Sequence, residues 1–361
     1  MNDLRKMEEK VIHSLRKLYH GYGYNQFKMS KFEAYDLYMQ NKEFLVSDGV
    51  ITFTDTDGTL MALKPDVTLS IVKNFRNDQT PIQKVCYSEN VYRITGAGHT
   101  YREIMQTGLE CLGDIGLYEI SEVLFLAAES LKTISDRYVL DISHMGIISQ
   151  LLSRLMLNDE DTASALRFLG EKNTDALTSL VGAGRAKDLL KLMRISGNIK
   201  TAIRDLAGLC DQTIMAELEL LLKLLERRGL AECVHLDFSI ISDRNYYNDY
   251  VFRGYVEGLP SAILAGGQYD RLMEKMNKQA RGIGFAVYLD QLELLERRTC
   301  EYDIDTVLLY TDSDDILALS DAAYDLSEEG VLLAKQIPTR TTCRRLLRFE
   351  NGRLIEIENN G

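Results

Sequence analysis

The stretch from Lys84 to Gly113 constrains the fold more than any other part of the chain. KVCYSENVYR and YREIMQTGLECLG each read as a strand, and the intervening ITGAGHT supplies a glycine-rich connection. Two such strands pair antiparallel and commit the chain to a sheet whose successive side chains face opposite sides. On the second strand Arg102, Ile104, Gln106, Gly108 and Glu110 then share one side, and Arg93 and Asp66 fall near it. A buried polar group left unpaired costs roughly 1–3 kcal/mol. A face carrying Arg, Gln and Glu is therefore either a solvated outer surface or a concave polar site for a small zwitterion. In such a site carboxylates take an amino group, and amides or arginines take a carboxylate or phosphate.

The remaining elements build around that sheet. Leu4, Met7, Val11, Leu15 and Leu18 recur at helical spacing, and Gly21 and Gly23 stop the helix before a strand over Tyr24 to Phe27. A helix-like stretch follows from Phe32 to Tyr38, then a hairpin within Ser47 to Thr59 turning at Asp57-Gly58. LMALKPDVTLSIVKNF reads as strand, turn at Pro65 and helix, and a further helix covers Tyr118 to Thr133. From about 146 to 232 the texture is leucine-rich and helical, marking an insertion, after which VHLDFSI, YVFRGYVEG, SAILAGG and RGIGFAVY return to strands. AGGQYDRL, residues 265–272, is either a backbone approach to a ligand or a plain sheet-to-helix connection. Beyond a linker near 300, strands, one helix and a hairpin at Asn351-Gly352 make a small α/β domain over 299–361, after a core over 1–298. The expected class is α+β, an antiparallel sheet flanked by helices.

Composition removes several functions. With 54 acidic against 42 basic side chains the net charge is −12, so no global positive field recruits nucleic acid or anionic lipid. The cysteines at 86, 111, 210, 233, 300 and 343 form no CxxC pair, and the histidines at 13, 20, 99, 144 and 235 show no ligand spacing. Neither a metal nor a cofactor is expected. Charges interrupt the apolar positions of the amino-terminal helix, and no run reaches the length of a membrane span. A soluble cytoplasmic chain without membrane contact is the expectation.

Taken in order, five segments across roughly residues 5–295 resemble the catalytic core of the class II aminoacyl-tRNA synthetases, histidyl-tRNA synthetase in particular. KPDVT resembles TLRPEGT, YRITGAGHTYREIMQTGLECLG the motif 2 loop and strands, DRNYYNDYVF the RGLDYYN histidine motif, AGGQYDRL the GGRYDGL segment, and GIGFAVYLDQL motif 3. The resemblance implies histidine-binding roles for Asp66, Arg93, Gln106, Glu110, Tyr246, Tyr247 and Tyr269. It also implies lost chemistry. The motif 2 glutamate becomes Thr95, the motif 3 adenine-stacking arginine Gln291, the catalytic arginine of the histidine motif Ser242, a motif 3 glycine Tyr288, and the arginine of GGRYD Gln268. Short or neutral side chains do not replace a guanidinium that stabilises charge on a phosphate.

A kept pocket with lost adenylation machinery resembles the regulatory subunits of ATP phosphoribosyltransferase. That resemblance implies no aminoacylation activity and a short-form catalytic subunit as partner. It further implies a role in the first step of histidine biosynthesis, feedback by L-histidine, and a hetero-octamer built on a homodimer. The alternative is a divergent amino-acid-activating enzyme in which Arg244 or Arg253 replaces the missing arginine. Phosphoribosyl transfer by the chain itself would need LLYTDSDD, residues 308–315, as a diphosphate loop, but no Gly/Thr-rich anion nest follows it.

Overall fold

The computed structural model describes residues 7–45, 49–76, 81–95, 100–241, 247–292, 294–295, 302–339 and 341–360. The chain divides into two compact units, one of residues 11–291 and one of residues 292–361 with 1–10.

The larger unit begins at Val11 within α1 (Met7–Gly21), where Val11, Leu15 and Tyr19 are buried, as the helical spacing predicts. Tyr19 meets Phe285 edge-on at 6.0 Å and shares a 2.9 Å hydrogen bond with Ser130. β1 (Asn25–Gln26) lies parallel to β5. Phe32 to Ala34 is not helical: it forms β2, which pairs with β4 before α2 (Tyr35–Met39) begins. β3 (Thr52–Thr54) and β4 (Leu60–Leu63) form the expected hairpin, with Gly58 at φ 89° in its turn. Past Pro65 comes α3 (Thr68–Asn74).

β5 (Ile82–Thr95) and β6 (Thr100–Gly113) pair along their whole length. α4 (Leu117–Ile134) then buries Val123, Leu124, Ala127 and Leu131; Glu119 caps it by accepting from the Gly116 amide at 2.8 Å. Its buried Glu122 takes Lys84 at 2.5 Å and the Tyr24 hydroxyl at 3.2 Å.

β7 (Tyr138–His144), which the hydropathy pattern does not announce, is a central strand. It runs directly into α5 (Met145–Ser153) with no residue between them, and Gly146 falls inside the helix rather than in a turn, so no turn cluster marks the junction. The helical insertion comprises α5, α6 (Asp159–Gly170), α7 (Thr174–Val181), α8 (Ala183–Met193), α9 (Ile199–Asp205) and α10 (Gln212–Arg227). The short β8 (Ser196–Asn198) interrupts it. Then come β9 (Val234–Asp237), β10 (Tyr250–Val256), β11 (Leu264–Gln268), α11 (Asp270–Lys275) and β12 (Arg281–Tyr288).

Among the described residues nine strands form one sheet in the order β1-β5-β6-β12-β11-β10-β7-β9-β8. Only β1/β5 and β7/β9 are parallel. Strands distant in sequence thus become neighbours, and β5, β6, β12 and β11 lie side by side.

In the smaller unit β13 (Ile304–Leu309), β14 (Val331–Ala334), β15 (Cys343–Glu350) and β16 (Arg353–Asn359) form a second sheet, joined by α12 (Ile316–Leu326). Leu308, Leu347 and Phe349 pack with Leu319 of α12. Asn351 (φ 50°) and Gly352 (φ 74°) make the β15–β16 turn, as two residues with positive φ should. Residues 308–315 are strand end, acidic turn and helix start: Asp315 accepts from the Leu317 and Ala318 amides.

Candidate functional site

Asp66, Arg93, Gln106, Glu110, Tyr247 and Tyr269 line one cavity. Tyr246 and Ser242 lie outside the described residues. Four adjacent strands and the start of α3 bring the six together. Arg93 comes from β5, Gln106 and Glu110 from β6, Asp66 from the turn before α3, and Tyr269 from the end of β11. The even positions of β6 share a side, as alternation predicts. Arg102, however, is exposed and outside the cavity, although it stands directly opposite buried Arg93 in the register.

Glycine makes the room. Gly284 stands opposite Glu110 in the β6–β12 register, and a Cβ there would sit 1.8 Å from Glu110 Oε2. At Gly282 a Cβ would meet the Tyr269 ring at 2.3 Å, and at Gly267 the Tyr247 ring at 2.5 Å. The glycines of AGGQYD and RGIGFA are thus strand positions over which site side chains fold. AGGQYDRL itself is a sheet-to-helix connection.

The polar groups are arranged asymmetrically. Glu110 is 2% exposed and accepts from Tyr269 Oη at 2.5 Å and from Thr68 Oγ1 at 2.8 Å. Burial pushes its carboxyl up to about 8, with nearby Asp66 adding and the two hydroxyls subtracting. Asp66 is also raised by burial, against the pull of Arg93, and accepts from the Leu69 amide at 2.9 Å. Arg93 is anchored through Nε to the Pro65 carbonyl at 2.8 Å. Gln106 is 2% exposed, and its Nε2 has no hydrogen-bond partner. Burial holds the Tyr87 and Tyr247 hydroxyls protonated, well above the usual phenol range. The cavity therefore offers two carboxyl groups, a buried guanidinium, an uncommitted amide donor and aromatic walls.

Two polar wall residues escaped the sequence reading. Tyr87 shares the odd-numbered side of β5 with Arg93, so period-two alternation was a usable signal for it. Thr68, the first residue of α3, carries no such signal.

The positions implied as lost scatter. Tyr288 enters the cavity wall and stands opposite Gln106 in the register. Gln291 lies outside it, accepting from Ser261 Oγ at 2.9 Å and donating to the Ala262 carbonyl at 3.3 Å. Gln268 is fully buried and turned into a different cavity. Thr95 ends β5 opposite Thr100. Arg244 lies outside the described residues, and Arg253 is exposed on β10 at the edge of the site, opposite the wall residue Ala265 and near enough for its charge to act on Tyr247. Among the described residues no group of three His, Cys, Asp or Glu side chains is placed to hold a metal ion, and no helix is long and apolar enough to cross a membrane.

Known proteins place this geometry in a family. The ATP phosphoribosyltransferase regulatory subunit of Caldanaerobacter subterraneus subsp. tengcongensis is 29% identical over 308 residues, 81% of this chain and 79% of the relative. A crystal structure of an ATP phosphoribosyltransferase regulatory subunit/histidyl-tRNA synthetase from Bacillus halodurans superposes with a TM-score of 0.72 at 24% identity, covering 92% of this chain and 90% of that one. A chain of the ATP phosphoribosyl transferase (HisG:HisZ) complex from Thermotoga maritima superposes at 0.64 and 19% identity, covering 79% and 98%. These likenesses show the synthetase-type α+β fold. The sequence model of the histidyl-tRNA synthetase family matches residues 2–292, and the chain belongs to that family.

Proposed function

We propose that this chain is the non-catalytic regulatory subunit of an ATP phosphoribosyltransferase, with free L-histidine as its effector in the Asp66–Glu110 cavity. The observation that carries the effector reading is Gln106 Nε2, a buried donor without a partner in a cavity that also holds Arg93 and two carboxyl groups. An α-carboxylate satisfies the amide and guanidinium, an α-ammonium meets Glu110 and Asp66, and the tyrosines border the imidazole. The regulatory reading is supported by the names of relatives matching most of the chain. The catalytic partner is supported by the likeness to one chain of a two-protein transferase complex.

Adenylate formation fits poorly. Gln291 is tied to Ser261 and Ala262, and the Tyr288 phenol lines the wall where the resemblance calls for a glycine. The chain acts in the cytoplasm, as four copies with four short-form catalytic subunits, built on a dimer of itself. Feedback requires histidine to bind the inhibited arrangement more tightly than the active one, since equal affinity shifts nothing.

The test is phosphoribosyl transfer by the short catalytic subunit, with and without this chain, across a histidine titration. Transfer should depend on the chain and fall with histidine. Asp66→Ala should keep the activation and lose the inhibition. No effect on transfer, together with histidine-dependent pyrophosphate exchange into ATP, would return the chain to the amino-acid-activating enzymes.

A further inference from the structure

The larger unit holds a second polar cavity of about 550 Å³, whose walls include His144, Glu217, Asp249, Tyr250, Gln268 and Arg281. Alternation along β11 turns Gln268 away from the side that Gly267 gives to Tyr247, so this cavity is separate from the first.

Its walls carry unpartnered polar atoms. His144, Tyr250 and Gln268 are 3%, 1% and 0% exposed, yet His144 Nδ1, Tyr250 Oη and Gln268 Oε1 have no hydrogen-bond partner. The Gln268 amide is oriented by Nε2, which donates to Asp270 Oδ2 at 2.8 Å, so the orphan atom is an acceptor. Burial lowers the His144 imidazole against the pull of Asp249, leaving it neutral at pH 7 with an acceptor nitrogen. Glu217 makes no hydrogen bond or ion pair among the described residues. Arg281 does not compensate for this. It spends its guanidinium on Asp270 Oδ2 at 3.0 Å and the Ile115 carbonyl at 3.1 Å, and stands 3.9 Å from Asp249 Oδ2.

A cavity with two carboxylates, the Gln268 carbonyl and an imidazole acceptor, against a single unpartnered phenol donor, calls for a compact donor-rich cation. Inorganic ions lack a coordinating group of three side chains here among the described residues, and the carboxylates repel anions. We propose that this cavity binds a small primary ammonium compound, its NH₃⁺ shared by Glu217, Asp249 and Gln268 Oε1. Its aliphatic stem lies along the His144 and Tyr250 rings, which stand edge-to-face at 4.7 Å. A diamine and an amino acid share this ammonium chemistry; an amino acid would add a carboxylate near Arg281.

The test is calorimetric titration of the full chain carrying Asp66→Ala, which silences the first cavity, with 1,4-diaminobutane and with L-lysine as probes. Either probe should bind. The diamine alone indicates a ligand without a carboxylate, and lysine alone brings Arg281 into its recognition. Glu217→Gln, on the surface of α10, should weaken binding about tenfold. Gln268→Arg should abolish it by placing a guanidinium among the same carboxylates, and if that variant fails to fold, Glu217→Gln still decides. No heat from either probe up to about 10 mM, or binding unchanged by Glu217→Gln, overturns the proposal and leaves a cavity that holds water only.

Discussion

Histidine binding should be tied to the ionisation of Glu110. Burial raises this carboxyl to about 8, so below that pH the empty site holds a neutral acid, whereas an α-ammonium needs the carboxylate. The ionised fraction then rises from about 1% at pH 6 to about 50% at pH 8. Affinity should therefore rise about 50-fold across that window, or about 2.3 kcal/mol. Asp66, also raised, acts in the same direction. At pH 7 binding should release about 0.9 proton from Glu110. Calorimetric titrations in buffers of different ionisation enthalpy read that release directly. The histidine imidazole titrates in the same range, so the informative quantity is the ratio of wild-type to Glu110→Gln affinity, in which the ligand's own titration cancels. That ratio should climb with pH and level off above about 8. A ratio flat from pH 6 to pH 8, or net proton uptake by the wild type beyond that of the variant, would refute the pairing of ammonium with Glu110.

Three further outcomes follow from the same geometry. The free protein should lose stability as pH rises. Because the folded state raises the Glu110 pKa, its contribution is fully present below the unfolded value near 4.5 and lost through about 8. The melting temperature of the wild type should fall over that range more steeply than that of Glu110→Gln. Gly284→Ala should cost about 1–3 kcal/mol in denaturant unfolding and abolish histidine binding, because its Cβ would sit 1.8 Å from Glu110 Oε2 and 2.4 Å from the Leu109 carbonyl. Lys84→Met should cost about 3 kcal/mol by stranding buried Glu122, and the double variant Lys84→Met/Glu122→Gln should recover part of the loss; equal stability of single and double variants would count against a coupled pair.

How much of the site was legible varied with the element that carries each residue. Gln106 and Glu110 lie on one strand, where period two alone puts them on one side. Asp66 and Tyr269 lie in connections, and only their likeness to family motifs linked them to that strand. Arg102 fell outside although it pairs directly with buried Arg93, because alternation gives a side of the sheet but not which positions on that side are covered. β7 was invisible for a related reason. Its sequence YVLDISH runs into a helix with no punctuation, and its central position comes from partners about 100 residues away.

The sequence by itself determined most of the elements, though not β2 or β7, and with them the long β5–β6 pairing, the helical insertion and the carboxylate-amide side, because these depend on local periodicity and turn chemistry. The strand order was decided only in three dimensions. It set Gly284 across from Glu110, folded Tyr247 and Tyr269 over Gly267 and Gly282, and turned Gln268 away into a cavity of its own. The physical reason is that register and burial arise between segments far apart in the chain. A carboxyl group's protonation and a glycine's necessity are properties of what stands opposite, which no window of the sequence contains.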